Sequence, residues 1–252
     1  MSLDPDEIHI WYRHTDNVPP GAISAARATL SADERARCER FRLARHRRDY
    51  VLAHDLLRRS LSRYDDVAPG QWQFSSTADG KPFVSGPASV VPHALSFNLS
   101  HTPGLVACAV ARTMPVGVDV ERTDRAADIE QLGERYFSRL ELIALNRGGG
   151  GARLRFFELW TLKEAVVKAT GAGLSQPLRA MTFDLDQDGV IAFVPPPAMD
   201  AAEWHCALYG PSPDTRLAVA VHGGINRTLR WEARQMEPDG AMGIQPLRRT
   251  LA

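Results

Sequence analysis

The chain has 252 residues, 44% apolar and 24% charged, enough for one large or two ordinary globular domains with a real core. Thirty basic and thirty acidic side chains leave a formal net charge of zero, which argues against a duplex-DNA binder. Cys38, Cys108 and Cys206 are far apart and form no CxxC pair, which excludes a disulfide framework and a cysteine zinc site.

The N-terminus, "MSLDPDEIHIWYR", is mixed and acidic, unlike a signal peptide. No stretch approaches the ~18 continuous apolar residues of a membrane span. A soluble, cytoplasmic α/β or α+β protein is expected. "EIHIWYRH" alternates and predicts a first strand. The stretch 31–64 predicts a long basic helix, opened by an S-x-x-E capping box at Ser31 and Glu34. Leu52, Leu56, Leu57 and Leu61 give its later part an apolar face. "QWQFSSTADGKPFV" predicts two strands around a turn at Asp79-Gly80. "ALSFNLSHTPGLVACAVAR" predicts two more around Pro103-Gly104. "GVDVE" (117–121) predicts the next strand.

A charged stretch and a helix over "RYFSRLELIALNR" follow. The four glycines 148–151 predict a mobile loop. "ARLRFFELWTLKEAVVKAT" predicts a strong helix ended by Gly171 as a left-handed cap. Three strands are expected in "MTFDLDQDGVIAFV", "EWHCALYG" and "TRLAVAVH". The order strand, helix, strands thus occurs twice. It divides the chain into residues 1–115, residues 116–225 and an extended or partly disordered tail, 226–252.

Alternation puts Asp119 and Glu121 on one strand face, where two carboxylates repel each other unless paired. They suit a solvated strand face or a hard-cation site. Trp160, Glu164 and Lys168 are spaced i, i+4, i+8 on one helix face. They suit either a simple helix ion pair or a third carboxylate for the cation and a point charge for a phosphate. The arginines from Arg35 to Arg48 suit a solvated face, with a few able to hold an anion by forked hydrogen bonds. No Walker A, Rossmann or GxSxG motif is present. The inventory favours phosphoryl-type transfer without a covalent enzyme intermediate.

With "GKP" (80–82), "FNLSHT" (97–102), "GVDVE" (117–121) and "WTLKEAVVKATGAGL" (160–174) in that order, the chain resembles the double-length, Sfp-like phosphopantetheinyl transferases. "RYFSRLE" and "ERARCERFR" resemble further family segments. The resemblance covers roughly residues 5–222. It implies two similar α/β halves related by a pseudo-twofold axis, with an active-site cleft between them. It also implies transfer of 4′-phosphopantetheine from coenzyme A to a serine of an apo acyl or peptidyl carrier protein, releasing adenosine 3′,5′-bisphosphate. Asp119, Glu121 and Glu164 would hold Mg²⁺, or Mn²⁺ in its place. Glu164 would also serve as the base, and Lys168 would stabilise or protonate the leaving phosphate. Arg37, Arg48, Lys81, Pro82, Ser100 and His101 would bind coenzyme A. Glu34 stands where some relatives carry a lysine. The expected partners are coenzyme A and the carrier protein, with no nucleic acid and no membrane, and the chain acts as a monomer. The alternative reading is a non-catalytic relative that only binds coenzyme A or a carrier protein.

Overall fold

The structure, a computed structural model, describes residues 1–89, 95–147, 149–171, 173, 177–225, 227–237 and 240–251. Gly148 of the glycine run, Ala172 and Leu174 of the last motif, and residues 226, 238–239 and 252 of the tail lie outside them. The fold mixes helix and sheet in two compact units. One holds residues 1–113 and 230–244, the other 114–229 and 245–252. No helix among the described residues is long and apolar enough to cross a membrane.

In the first unit, β1 (Glu7–His14) is followed by α1 (Pro20–Ala28), α2 (Ala32–Glu39) and α3 (Ala44–Leu61). A hairpin comes next, β2 (Gln73–Ser76) with β3 (Pro82–Gly86), and then β4 (Leu95–Thr102) and β5 (Leu105–Arg112). The second unit repeats this order. β6 (Val116–Arg122) is followed by α4 (Ile129–Tyr136), α5 (Arg139–Arg147) and α6 (Ala152–Thr170). The hairpin β7 (Thr182–Asp184) and β8 (Ala192–Val194), then β9 (Trp204–Tyr209) and β10 (Thr215–His222), complete it. Strand order repeats as well. β5 lies between β1 and β4 in one sheet, and β10 lies between β6 and β9 in the other.

Several sequence expectations need correction. The tail, read as extended or partly disordered, carries strands paired into both sheets. β11 (Arg230–Glu237) pairs in parallel with β1, β12 (Gly240–Ile244) pairs with β11, and β13 (Arg248–Arg249) pairs with β9. Backbone pairing partners far away in sequence hold these strands, so periodicity within the tail did not reveal them. The basic helix is broken at residues 40–43 into α2 and α3. The break lets Cys38 of α2 pack with Val51 and Leu52 of α3 and with Ala26 and Leu30, which a straight helix would keep apart. The helix read over 135–147 is likewise two helices, α4 and α5, because Ser138 accepts from the Glu141 amide and starts a new one. Finally, the closing stretch holds four strands rather than three, since β7 and β8 form a hairpin of their own.

Local signals behave as expected. Ser31 and Glu34 make a full capping box on α2. Gly80 and Gly104 take positive φ in their turns, and Gly171 caps α6 at φ 75°. The glycine run departs from the expected mobile loop: Gly149–Gly151 form a short 3-10 turn that leads straight into α6. The first core gathers Trp11, the α3 leucines Leu56, Leu57 and Leu61, Trp72, Phe97 and Val106.

The capping acid does a second job. Arg58 is buried on α3, and its Nε and Nη2 donate to Glu34 Oε2 at 3.1 and 2.8 Å. Its Nη1 donates to the carbonyls of Pro69 and Trp72. Burial by itself would raise the Glu34 carboxyl. Hydrogen bonds from His54 and the Ser31 amide, with the charges of His54 and Arg58, instead bring it down to about 2. An acid depressed from 4.5 to about 2 contributes stability in full above 4.5, and loses it as pH falls toward 2. Glu34→Gln should therefore cost about 3 kcal/mol at pH 7, as for a buried pair robbed of one partner. Urea unfolding of variant and wild type should show this gap narrowing as pH is lowered through the acid range. A gap that stays constant would contradict the assignment.

Candidate active site

β6 ends its sheet beside β10, with Gly117 opposite Ala220, Asp119 opposite Ala218 and Glu121 opposite Arg216. Directly paired residues share a face. Ala218 and Ala220 belong to the core that α6 covers, so Gly117, Asp119 and Glu121 look toward that helix. Contact is made at Gly117. A Cβ there would lie 2.0 Å from the Ala165 carbonyl oxygen and 2.4 Å from the Ala169 amide nitrogen. Only glycine lets the strand and helix backbones meet so closely. The result carries Asp119 and Glu121 to the helix that bears Glu164 and Lys168.

The charges there interact strongly. Lys168 Nζ donates to Asp119 Oδ1 at 2.7 Å. Arg125 Nε stands 3.1 Å from Glu121 Oε2. Burial, then the neighbouring Asp119 charge, pushes Glu121 up to about 7, with Glu164 adding to the rise and Arg125 and Lys168 opposing it. Glu164 is raised by burial and by Asp119, against the pull of Lys168. Asp119, Glu121, Glu164 and Lys168 therefore form one electrostatic cluster, as the sequence suggested. Arg125 is the member that sequence reasoning missed. Its place four residues after Glu121 was the available signal.

Lys163, beside Glu164, points the other way along the helix circumference. It is fully buried and pairs with Glu141 Oε2 at 2.8 Å. It also donates to the carbonyls of Leu178 and Met181 at 2.8 and 2.7 Å, and sits over the Phe137 ring. Glu141 accepts from the amides of Ser138 and Phe183 as well. The "FSRLE" segment thus anchors α6 from behind. Trp160, one turn before Glu164, stacks on Phe156 and packs edge-on against Tyr136.

The six residues expected to bind coenzyme A all belong to the first unit. Arg37 is exposed in the last turn of α2. Arg48, on α3, is paired with Asp16 at 2.9 Å and Asp49 at 3.3 Å. Lys81 precedes Pro82 at the start of β3, and burial lowers its ammonium below the ordinary value. On β4, Ser100 is buried and His101 exposed, on opposite faces of the strand. These six spread over α2, α3, the β2–β3 hairpin and β4, whereas the three carboxylates stand on β6 and α6, which touch.

Three oxygen-donor side chains stand on two touching elements, with Glu121 and Glu164 raised by burial and by the Asp119 charge, and carboxylate oxygens are what a hard divalent cation takes. The crowding of like charge is the observation that fits such an ion.

Residues 115–221 match the 4′-phosphopantetheinyl transferase superfamily. Residues 19–113 match the 4′-phosphopantetheinyl transferase N-terminal family. The chain is 37% identical to 4′-phosphopantetheinyl transferase HetI of Nostoc sp. over 177 residues, which is 70% of this chain and 73% of that protein. It is 29% identical to 4′-phosphopantetheinyl transferase Sfp of Bacillus subtilis, over 76% of this chain and 82% of that one. For psf-1 of Bacillus pumilus the identity is 33%, over 66% and 69%.

Gly117→Ala should push β6 off α6, because its new methyl meets backbone rather than a yielding side chain. A loss of about 3 kcal/mol or more is expected, the upper range for overpacking. Thermal melts of the variant check this, and an unchanged midpoint would show that the strand can shift freely.

Proposed function

The chain belongs to the 4′-phosphopantetheinyl transferase superfamily and is an enzyme of that type, and we propose that it moves 4′-phosphopantetheine from coenzyme A to a serine of an apo acyl or peptidyl carrier protein. The observation that carries the reading is the placement of Asp119 and Glu121 on the strand face packed against the helix that bears Glu164 and Lys168, close enough for their charges to interact. The serine Oγ forms a bond to the phosphorus that bears the pantetheine. The bond from that phosphorus to the bridging oxygen breaks, and adenosine 3′,5′-bisphosphate leaves.

Asp119, Glu121 and Glu164 would hold Mg²⁺, with Mn²⁺ as a chemical equivalent. The ion, when bound, supplies positive charge to the pyrophosphate oxygens. Glu164 takes the serine proton at its carboxylate. Its raised pKa brings it nearer neutrality, which improves a general base. Lys168 presents its ammonium to the leaving phosphate and neutralises or protonates it. The Asp119 contact holds that ammonium in place while the site waits for substrate. Arg37, Lys81, Pro82, Ser100 and His101 are proposed for the adenosine and 3′-phosphate. Arg48 would join them by exchanging Asp16 for the phosphate.

The test is direct. Purified protein, coenzyme A, Mg²⁺ and several apo carrier proteins are mixed, and intact mass is read. A phosphopantetheine adduct is expected, and no adduct on any carrier would sink the proposal in favour of a binding-only relative. Glu164→Gln should keep the fold and lower turnover by about 100-fold or more, the usual worth of a general base. Near-normal turnover would remove that role. Lys168→Ala should lower kcat for the carrier more than it raises KM for coenzyme A. The reverse split would make Lys168 a ground-state binding residue only.

A further inference from the structure

Away from the carboxylate cluster, the parallel pairing of β1 and β11 sets His9 directly opposite Glu232. Glu7 lies two residues before His9 and therefore on the same strand face. His9 Nε2 is 3.6 Å from Glu7 Oε2 and 3.7 Å from Glu232 Oε2. One ligand atom from each of the three lies within 4.8 Å of the others. His9 is 2% exposed, and its Nε2 is buried without a hydrogen-bond partner. A buried imidazole nitrogen left unsatisfied is costly, and nothing in the transferase chemistry uses this one.

We propose that Glu7, His9 and Glu232 form a divalent transition-metal site of the Zn²⁺ class, which clips the C-terminal strand β11 to the first strand β1. One imidazole and two carboxylates make a mixed nitrogen and oxygen set that suits zinc better than the all-oxygen set of magnesium. Ligand atoms around a tetrahedral zinc stand roughly 3.3 Å apart. The two measured edges are a few tenths longer, within the reach of small side-chain rotations. The other imidazole nitrogen, Nδ1, lies 2.8 Å from the Tyr64 hydroxyl, which accepts from Trp11 Nε1 at 2.7 Å. With metal on Nε2, Nδ1–H donates to that hydroxyl, the usual outer support of a ligating histidine. Burial also disfavours the charged imidazolium, which leaves the metal-binding neutral form.

Other groups face the site. Arg230 donates to Glu7 Oε1 and to Asp4, the Asp4 amide donates to Glu7 Oε2, and Arg234 donates to Glu232 Oε2 at 2.6 Å. Each carboxylate oxygen keeps a second lone pair for an ion. Asp4, Asp6, Glu7 and Glu232 outnumber the guanidiniums of Arg230 and Arg234, so the local balance favours a cation. Glu232 is more than a third exposed, which gives an entry path and room for water as a fourth ligand.

The experiment is calorimetric titration of the metal-free full chain with ZnCl₂, in saturating Mg²⁺ so that the carboxylate cluster is covered. Bound metal is counted by elemental analysis. One zinc per chain is expected, weakened at least tenfold in Glu232→Gln and in His9→Gln, by the measure of metal-site substitutions. Zinc should raise the melting temperature of wild type and not of Glu232→Gln. Glu232 is partly exposed, so its variant folds even if His9→Gln does not. The control Glu164→Gln should bind zinc as wild type does. Absence of zinc binding in wild type, or equal binding in Glu232→Gln, overturns the site. Transferase activity is read separately and does not bear on the outcome.

Discussion

The backbone contact at Gly117 is the constraint on which the second unit depends. A strand and a helix normally keep about 10 Å between their axes, with side chains filling the gap. Here the helix seat is made of Gly117, Ala218 and Ala220, so α6 lies almost on the sheet. That closeness puts a strand-borne aspartate within hydrogen-bond distance of a helix-borne lysine, 2.7 Å from Lys168 to Asp119. A valine at 117 would keep the strand and lose the site. Behind α6, the Lys163–Glu141 pair resists the helix rolling or sliding, because either motion would strand a buried charge. Lys163 and Glu164 are neighbours in sequence and serve opposite ends: one is a fully buried anchor, the other belongs to the carboxylate cluster.

The electrostatics follow from this geometry. Burial, with the Asp119 charge, raises Glu121 and Glu164, and the fold spends stability to keep such acids there. Lys168 and Arg125 offset part of that cost, each ion-paired with one acid. The pairs also hold those acids in place. Such a cluster is costly as structure and useful as chemistry, the usual mark of a functional site.

Much of this was legible in the sequence wherever the cause is local. Ser31 and Glu34 cap a helix because they are three residues apart. Gly171 ends one because glycine accepts positive φ, and alternation placed Asp119 with Glu121. The features that could not be read depend on distant partners. The break between α2 and α3 is set by Cys38 meeting Val51 and Leu52. The role of Lys163 is set by Glu141 and by carbonyls beyond the helix end. The strands of the last residues are set by β1 and β9, so their own weak periodicity made them look unstructured.

Those last strands add an asymmetry to an otherwise repeated plan. In the repeated three-stranded core of each unit, both outer strands would be left with open hydrogen-bonding groups, an invitation to misplaced pairing. β11 covers the edge on β1, and β13 covers the opposite edge of the other sheet, on β9. Because β11 runs parallel to β1, no short turn can connect neighbouring strands of this pair. The crossover is instead most of the chain, residues 114–229 of the second unit included. Closing so long a loop is entropically expensive, though the cost grows only slowly with length. Six backbone register pairs and the ion pairs of Arg230 with Glu7 and Asp4 hold it shut. An added link at Glu7, His9 and Glu232 would act at the point where closure is hardest to maintain by local structure alone.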